Sequence, residues 1–386
     1  MGSEQHSPQI ALWLKLIRAE GIGPTLFKRL LDYFEDVEHI FTASVVELAK
    51  VDGIGNKTAE SIVRTRDVFD VDSELALADK TGVWIIHLHD KRYPPALRAI
   101  YDPPPVLYVK GTLTRADNLA MAIVGSRRCS HYGTEQANRF SHLLASAGFT
   151  IVSGLARGID SAAHRGALAT KGRTIAVQGC GLSNIFPPEN QKLFEQITEN
   201  GAVISELPLS YEPLPENFPA RNRIIAGLSM GVLVVEATYR SGALISAQAA
   251  MDNNREVMAV PGRIDSPCSL GCHKLLKQGA RLIDSIDEIM DALGYVGDGL
   301  KAHADAVAIE AEENVQQTLF DLSQLNLTTE ESAILRQLNA EPVHVEELIE
   351  MSQLSAAKVH SAAISLQLKG LIKQLPGNML VKRGST

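Results

Sequence analysis

The chain has 386 residues, a formal net charge of −8 and 45% hydrophobic residues, few of them aromatic. That length holds roughly two to four domains with ordinary aliphatic cores, and the acidic balance argues mildly against a nucleic-acid binder without excluding one, since a few arginines in a cleft outweigh acids on a far face. No apolar run approaches the ~18 residues of a membrane span, and Met1 to Pro8 lacks the apolar region of a signal peptide, so a cytoplasmic protein is expected.

Residues 1–75 read as a small helical domain. Leu12, Leu16 and Ile17 share one helical face, Gly21-Ile-Gly-Pro24 breaks the pattern, and Thr25 to Phe34 resumes it. A second unit follows: helix over Val45 to Lys50, a turn at Val51-Asp-Gly-Ile-Gly55, and helix over Lys57 to Arg66. Two glycine turns between short helices resemble helix-hairpin-helix units, whose backbone N–H groups approach phosphates without sequence preference. The plainer alternative is a tight turn between helices. Gly55-Asn-Lys-Thr58 is not a P-loop, because Asn56 and Lys50 stand where glycines belong.

Residues 76–295 form the core of the chain. Val83-Trp-Ile-Ile-His-Leu and Val106-Leu-Tyr-Val read as strands joined through the prolines of Tyr93-Pro-Pro and Asp102-Pro-Pro-Pro105, an extension packed against the main sheet. Short apolar runs then recur at 121–124, 149–152, 174–177, 202–204, 232–235 and 257–260. Each has the length of a strand buried on both faces, and helical patterns alternate with most of them. This is the signature of an α/β fold with a Rossmann-like, doubly wound parallel sheet. Ligands of such sheets bind at the carboxyl edge of the strands. That edge carries Gly125-Ser126-Arg127-Arg128, Ser153-Gly154, Arg157-Gly158, Gly179-Cys180-Gly181 and Glu236-Ala237, and its glycines, serines and arginines suit an anion.

Glycine lets the backbone approach a ligand, Ser126 offers a hydroxyl, and Arg127 offers a fork matched to phosphate oxygens. The turn lacks Gly-x-Gly-x-x-Gly, which disfavours a dinucleotide, and no cofactor is expected. Asp160 and His164 share one helical face, as an acid/base pair or, more simply, a helix-stabilising contact. Glu206 to Ala220 holds four prolines and is too long for a routine connection, so it reads as a binding loop or lid. It delivers Phe218-Pro-Ala-Arg221-Asn222-Arg223. One reading stacks Phe218 on a base with the arginines on phosphates; the other puts Phe218 in the core and pairs the arginines with Glu206 and Glu236. Gly227-Leu-Ser-Met-Gly231 matches a serine-hydrolase string, but a helical pattern precedes it and a strand follows, the reverse of a nucleophile elbow. Ser241-Gly-Ala-Leu-Ile-Ser246 opens a helix, with Ser241 as the expected N-cap. Ser269 to Gly279 and Ser285 to Leu293 read as closing helices. Cys129, Cys180, Cys268 and Cys272 form no disulfide framework, and Cys268-x3-Cys272-His273 lacks a second ligand pair, so free thiols and no metal are expected.

Residues 296–325 read as an acidic linker. Residues 326–386 predict three helices (Thr328–Leu338, Val345–Met351, Ser355–Leu368) and a hairpin around Pro376-Gly377, similar to a winged helix. The third helix opens Ser355-Ala-Ala-Lys358, which offers little to read base edges; packing or partner binding is favoured over duplex binding.

Ala122-Ile-Val-Gly-Ser-Arg127, Ser153-Gly-Leu-Ala-Arg-Gly-Ile-Asp160, Phe218-Pro-Ala-Arg-Asn-Arg223, Val235-Glu-Ala237, Ser241-Gly-Ala-Leu-Ile245 and Val260-Pro-Gly262 occur in this order. Together they closely resemble the DNA-processing protein A (DprA, or Smf) family over about residues 84–290, and the flanking units resemble its common additions. The resemblance implies an extended Rossmann core, single-stranded DNA binding, a homodimer, and loading of a RecA-type recombinase during natural transformation or homologous recombination, without turnover. It implies phosphate contacts at Gly125, Ser126, Arg127, Ser153, Gly154 and Arg157, and a base-stacking aromatic at Phe218. Some members carry a lysine just before that aromatic. Here Pro215, Glu216 and Asn217 stand there, which removes that contact or moves it to Arg221.

Two rivals follow from the residues. A nucleotide-binding or phosphoribohydrolase-like enzyme would use Glu236, but Glu236-Ala-Thr-Tyr-Arg-Ser-Gly242 lacks the double glycine of that class. A third reading makes the core a scaffold whose end domains bind.

Overall fold

The computed structural model describes residues 9–68, 70–294, 328–338, 343–352, 354–368, 371–375 and 379–382. The expected linker over 296–325 and the turn at Pro376-Gly377 lie outside the described residues. The chain divides into two compact units, Met1–Tyr295 and Val296–Thr386.

The first unit opens with α1 (Ile10–Ile17), α2 (Pro24–Phe34), α3 (Val37–Thr42), α4 (Val45–Leu48), α5 (Asn56–Val68) and α6 (Val71–Thr81). Their boundaries follow local chemistry. Pro24 takes the first position of α2, where its missing N–H breaks no bond. Ser44 and Glu47 close a capping box on α4, and Asp36 caps α3 through the His39 N–H. Gly21 and Gly53 both take φ of +87°, which the two hairpin turns require. Of the expected stripe of Leu12, Leu16 and Ile17 only Leu16 is buried; Ile10, Trp13 and Leu14 are buried with it, and Leu12 and Ile17 are half-buried. Trp13 stacks on Phe27, with ring centroids 5.0 Å apart, and on His87 of the sheet at 4.6 Å. The helices and the sheet therefore share one continuous core.

That sheet has nine strands among the described residues: β1 (Val83–His87), β2 (Val106–Gly111), β3 (Ala120–Val124), β4 (Thr150–Ser153), β5 (Thr174–Val177), β6 (Gly201–Ser205), β7 (Gly231–Val234), β8 (Glu256–Ala259) and β9 (Arg281–Leu282). Their order is β1-β2-β6-β5-β4-β3-β7-β8-β9. From β6 to β9 every pairing is parallel. The two strands of the expected extension belong to the sheet itself: β2 pairs antiparallel with β6, and β1 with β2. β9 escapes sequence reading because two residues carry no period.

Alternation along β3 divides the core. Ala120, Ala122 and Val124 face α11 (Asn217–Leu228) and α12 (Ala243–Asp252). Met121 and Ile123 face α8 (His131–Ser146), α9 (Ile159–Ala169) and α14 (Ile286–Gly294). The remaining helices of this unit are α7 (Pro95–Arg98), α10 (Gln191–Asn200) and α13 (Leu270–Lys277).

In the second unit α15 (Thr329–Gln337), α16 (Val345–Ser352) and α17 (Ala356–Leu368) pack with β10 (Val343–His344), β11 (Ile372–Leu375) and β12 (Met379–Lys382). Thr328 and Glu331 close a capping box at the start of α15. β10 adds a third strand to the hairpin, in the order β10-β12-β11. Ile334, Leu348, Val359, Leu366 and Leu380 give this winged helix its own core.

Trp13→Ala is expected to cost about 3–5 kcal/mol, because it empties the junction between helices and sheet. Urea denaturation followed by circular dichroism measures this, and a loss under ~1 kcal/mol would refute the shared core.

Candidate functional site

The sheet order sets the site. From β3 the chain steps outward through β4, β5 and β6, then returns to lay β7 on the other side of β3. The loops leaving β3 and β7 consequently diverge, and such a switch point leaves a crevice. A cavity of about 670 Å³ opens there, lined by Gly125 to Arg128, Asp160, Phe218, Arg221, Asn222 and the Thr238–Ser246 segment. A narrower cleft adjoins it, between Arg127, Gly154, Arg157, Phe186 and Phe218.

Two glycine turns interlock at the crevice. A Cβ on Gly125 would lie 2.6 Å from Ile159 and 2.8 Å from the Glu236 carbonyl. Ser126 N–H donates to that same carbonyl at 2.8 Å. Gly158 takes φ of +75°, and a Cβ there would meet the Arg127 carbonyl at 2.8 Å. Ile159 N–H then donates to the Ser126 carbonyl at 3.3 Å. The start of α9 is thus seated on the Gly-Ser-Arg turn. Ser126 Oγ closes its own turn, donating to the Arg128 carbonyl at 3.0 Å and accepting from Arg128 N–H at 3.2 Å. Its hydroxyl shapes the loop rather than standing free for a ligand. Ser153 is buried, and its Oγ donates to the Ile123 carbonyl at 2.6 Å.

The cations divide into three kinds. Arg127 is exposed, has no ion-pair partner among the described residues, and lies 5.1 Å from the Phe218 ring centroid. Half-buried Phe218 leans on Phe186 at 5.5 Å. Arg157 is exposed but paired with Glu189. Arg221 is buried beneath Gly154, where Nη1 donates to the Gly154 carbonyl at 2.8 Å and to the Val177 carbonyl. Burial pulls its pKa down to about 10, so it stays charged at neutral pH. Burial also pushes the Asp160 carboxyl up, opposed by Arg221.

Of the residues expected at the site, Gly125, Ser126, Arg127, Phe218, Arg221 and Asn222 line one cavity, and Gly154 and Arg157 line the adjoining cleft. Ser153 and Arg223 line neither. Arg221 and Arg223 do not project together beside Phe218, because the helix begins early. α11 starts at Asn217, with Pro219 tolerated in its first turn. The irregular stretch therefore ends at residue 216, short of the expected Ala220. Two residues apart on a helix point to nearly opposite sides, so Arg223 turns away to pair with Glu206 and, at 3.2 Å, with Asp102. Asn222 Nδ2 donates to the Gly242 carbonyl at 3.2 Å and ties α11 to the start of α12. Gly242, one residue later than expected, caps α12, and Ser241 Oγ accepts from Ala243 N–H at 3.3 Å.

Asp160 and His164 do not pair. Asp160 accepts from Ala156 N–H at 3.3 Å, while His164 Nδ1 meets Thr174 Oγ1 at 2.7 Å. Thr174 donates to the Ile151 carbonyl, which leaves the histidine as donor. Complete burial lowers the His164 pKa to about 3. Glu236 is also committed: its two oxygens accept from Ser130 N–H at 2.8 Å and Ser130 Oγ at 2.5 Å, and Gly133 leaves it room. All four cysteines are free thiols, and no group of metal-ligating side chains occurs among the described residues.

Sequence reasoning left Phe186 and the β7–α12 turn (Thr238, Ser241, Gly242, Ser246) out of the site. The carboxyl-edge rule reached the start of that turn at Glu236-Ala237, and carrying it on past β7, the strand beside β3, would have found the rest. Phe186 carries no local signal, since it approaches only through the packing of two loops.

Fold and crevice define a doubly wound α/β protein with an anion-suited edge, carrying a helical and a winged-helix addition. Residues 84–294 match the family described as DNA recombination-mediator protein A, residues 320–378 the DprA winged helix domain, and residues 14–66 a SAM-like helix-hairpin-helix tandem. "Protein Smf" of Synechocystis sp. is 35% identical, over 97% of this chain and 98% of that one. "DNA processing protein DprA" of Streptococcus pneumoniae is 37% identical over 71% of this chain and 95% of its own. The X-ray structure of DprA from S. pneumoniae superposes with a TM-score of 0.65 at 36% identity, covering 73% of this chain and 97% of that chain. The chain belongs to the DprA/Smf family of DNA recombination mediators.

Two outcomes follow. Gly158→Ala is expected to cost about 1–3 kcal/mol by urea denaturation, through its left-handed backbone and the carbonyls it would strike. His164, near 3 folded and ~6.5 unfolded, takes up protons on unfolding once pH falls below the unfolded value. Stability therefore drops between about pH 6.5 and 3, by about 2 kcal/mol from this group between pH 7 and 5. His164→Asn should flatten that limb of the stability–pH curve; an unchanged limb would refute the assignment.

Proposed function

We propose that the protein captures single-stranded DNA at the β3–β7 crevice, holding phosphates on the Gly125-Ser-Arg127 and Gly154–Arg157 turns with a base against Phe218. The observation that carries this is the placement of Arg127: a cation with no carboxylate partner among the described residues, set on an aromatic ring at a glycine-lined cleft. Stacking on Phe218 requires an exposed base face, which a single strand offers and a duplex hides. Buried Arg221 adds positive potential from below the floor. Ser126, Ser153 and Asn222 act by shaping this surface. Arg223 serves it indirectly, by anchoring α11 to Glu206.

The protein is read as a binder without turnover. The carboxylate that a phosphoribohydrolase would need, Glu236, accepts with its two oxygens from the N–H and hydroxyl of Ser130, the cap residue of α8, and Asp160 and His164 are buried. Family membership supports delivery of the strand to a RecA-type recombinase, in natural transformation or wider homologous recombination, by a cytoplasmic homodimer. Among the described residues no helix is long and apolar enough to cross a membrane. Three domains and a linker are read along the chain: 1–75, 76–295, the linker over 296–325, and 326–386.

Fluorescence anisotropy of labelled oligothymidine across a salt series tests the reading. Wild type should prefer it to duplex of equal length, and Arg127→Ala should weaken binding about tenfold or more. The variant should also flatten the log–log salt dependence by about 0.7, the share of one phosphate on a single strand. Unchanged binding in the variant would move the site elsewhere.

A further inference from the structure

Arg157 reaches the same cleft as Arg127 and Phe218, yet its Nε donates to a carboxylate of its own chain, Glu189. The two side chains are 65% and 48% exposed. At such exposure an ion pair is ordinarily loose, because two flexible side chains must be ordered in water. Here the backbones beneath them are fastened together. Glu189 lies in a short turn over Pro188–Asn190, preceded by Pro187. The next residue, Asn190, is buried, and its Nδ2 donates to the Leu155 carbonyl at 2.8 Å and to Ser161 Oγ at 2.9 Å. Leu155 precedes Arg157 on its turn, and Ser161 follows it in the first turn of α9. The turn that presents the carboxylate is thus anchored to the turn that presents the guanidinium. The pairing draws the Glu189 carboxyl below its ordinary range and raises Arg157.

A carboxylate and a phosphate present similar oxygens to a guanidinium fork. We propose that Glu189 is an internal competitor for the DNA phosphate on Arg157, and that it sets how readily a bound strand is released. The inference rests on the strand-capture reading above. An entering phosphate exchanges with the carboxylate, and the displaced carboxylate stays close by, repelling the phosphate and ready to retake the arginine. Arg127 faces no such exchange. The crevice then holds one phosphate firmly and the next exchangeably, which suits a protein that passes its strand to another.

The test uses the full chain and labelled oligothymidine, with anisotropy across a salt series and stopped-flow dissociation. Glu189→Gln should tighten binding roughly three- to tenfold at low salt, mostly through slower dissociation, and steepen the salt dependence by up to about 0.7. In an Arg157→Ala background the same change should have less than about a twofold effect, because nothing is left to compete for. Equal affinity of Glu189→Gln and wild type, or an equal gain with and without Arg157, would overturn the role of Glu189; the second outcome would reduce it to general charge removal. If these occur while Arg127→Ala still weakens binding, strand capture stands and only the competitor falls. If wild type fails to bind, or Arg127→Ala binds as tightly, strand capture falls and the competitor with it.

Discussion

A side chain at residue 158 would collide with the carbonyls of Ser126 and Arg127, and the strand edge is organised by that contact. The first turn of α9 can approach the Gly-Ser-Arg turn only because Gly158 has no Cβ and accepts a left-handed φ. Once seated, the two turns exchange the Ile159–Ser126 hydrogen bond, and Glu236 holds the first turn from the far side through its carbonyl. Backbone packing fixes where Arg127 leaves the chain, and its guanidinium lies against the Phe218 ring rather than on a carboxylate of the described residues. A binding cation is best held this way, since a carboxylate recruited to orient it would also neutralise it.

The overall charge of −8 ceases to be an obstacle once the arginines are sorted by surroundings. Arg221 is interior and acts through its field and through two backbone carbonyls. Arg223 is balanced by acids away from the crevice. Arg127 is open, and Arg157 is open only after an exchange. Local potential at a concave edge follows from this sorting, and net charge averages it away.

Much of this was legible in the sequence. Buried parallel strands are short apolar runs, and the runs at 121–124, 174–177 and 232–235 announce the sheet without help from distant residues. The glycine turns and the motif strings are local in the same sense, whereas the cap expected at Ser241 falls on Gly242. What sequence could not supply was side-chain direction. Arg221 and Arg223 look equivalent in a string, but the early start of α11 sends one inward and the other to Glu206. Asp160 and His164 share a helical spacing, yet burial gives each a separate partner. Trp13 carries the junction between helices and sheet, and nothing in its neighbourhood distinguishes it from any apolar residue of α1. The two-residue strands β9 and β10 exist only through their neighbours.

The junction at Trp13 has a consequence for how the chain can be taken apart. The winged helix closes its own core around Ile334, Leu348 and Leu366, so it is a detachable module in the sense that cutting before it bares no interior of its own. The helical tandem differs. Trp13 and its neighbours are the outer wall of β1, and excising them would uncover His87, Val83 and Ile85, now 5%, 1% and 0% exposed. Such a truncated chain would carry a sticky sheet edge, and any loss of DNA affinity in it would report misassembly as readily as a missing contact. The two appendages look alike on a domain diagram, but only one of them is modular.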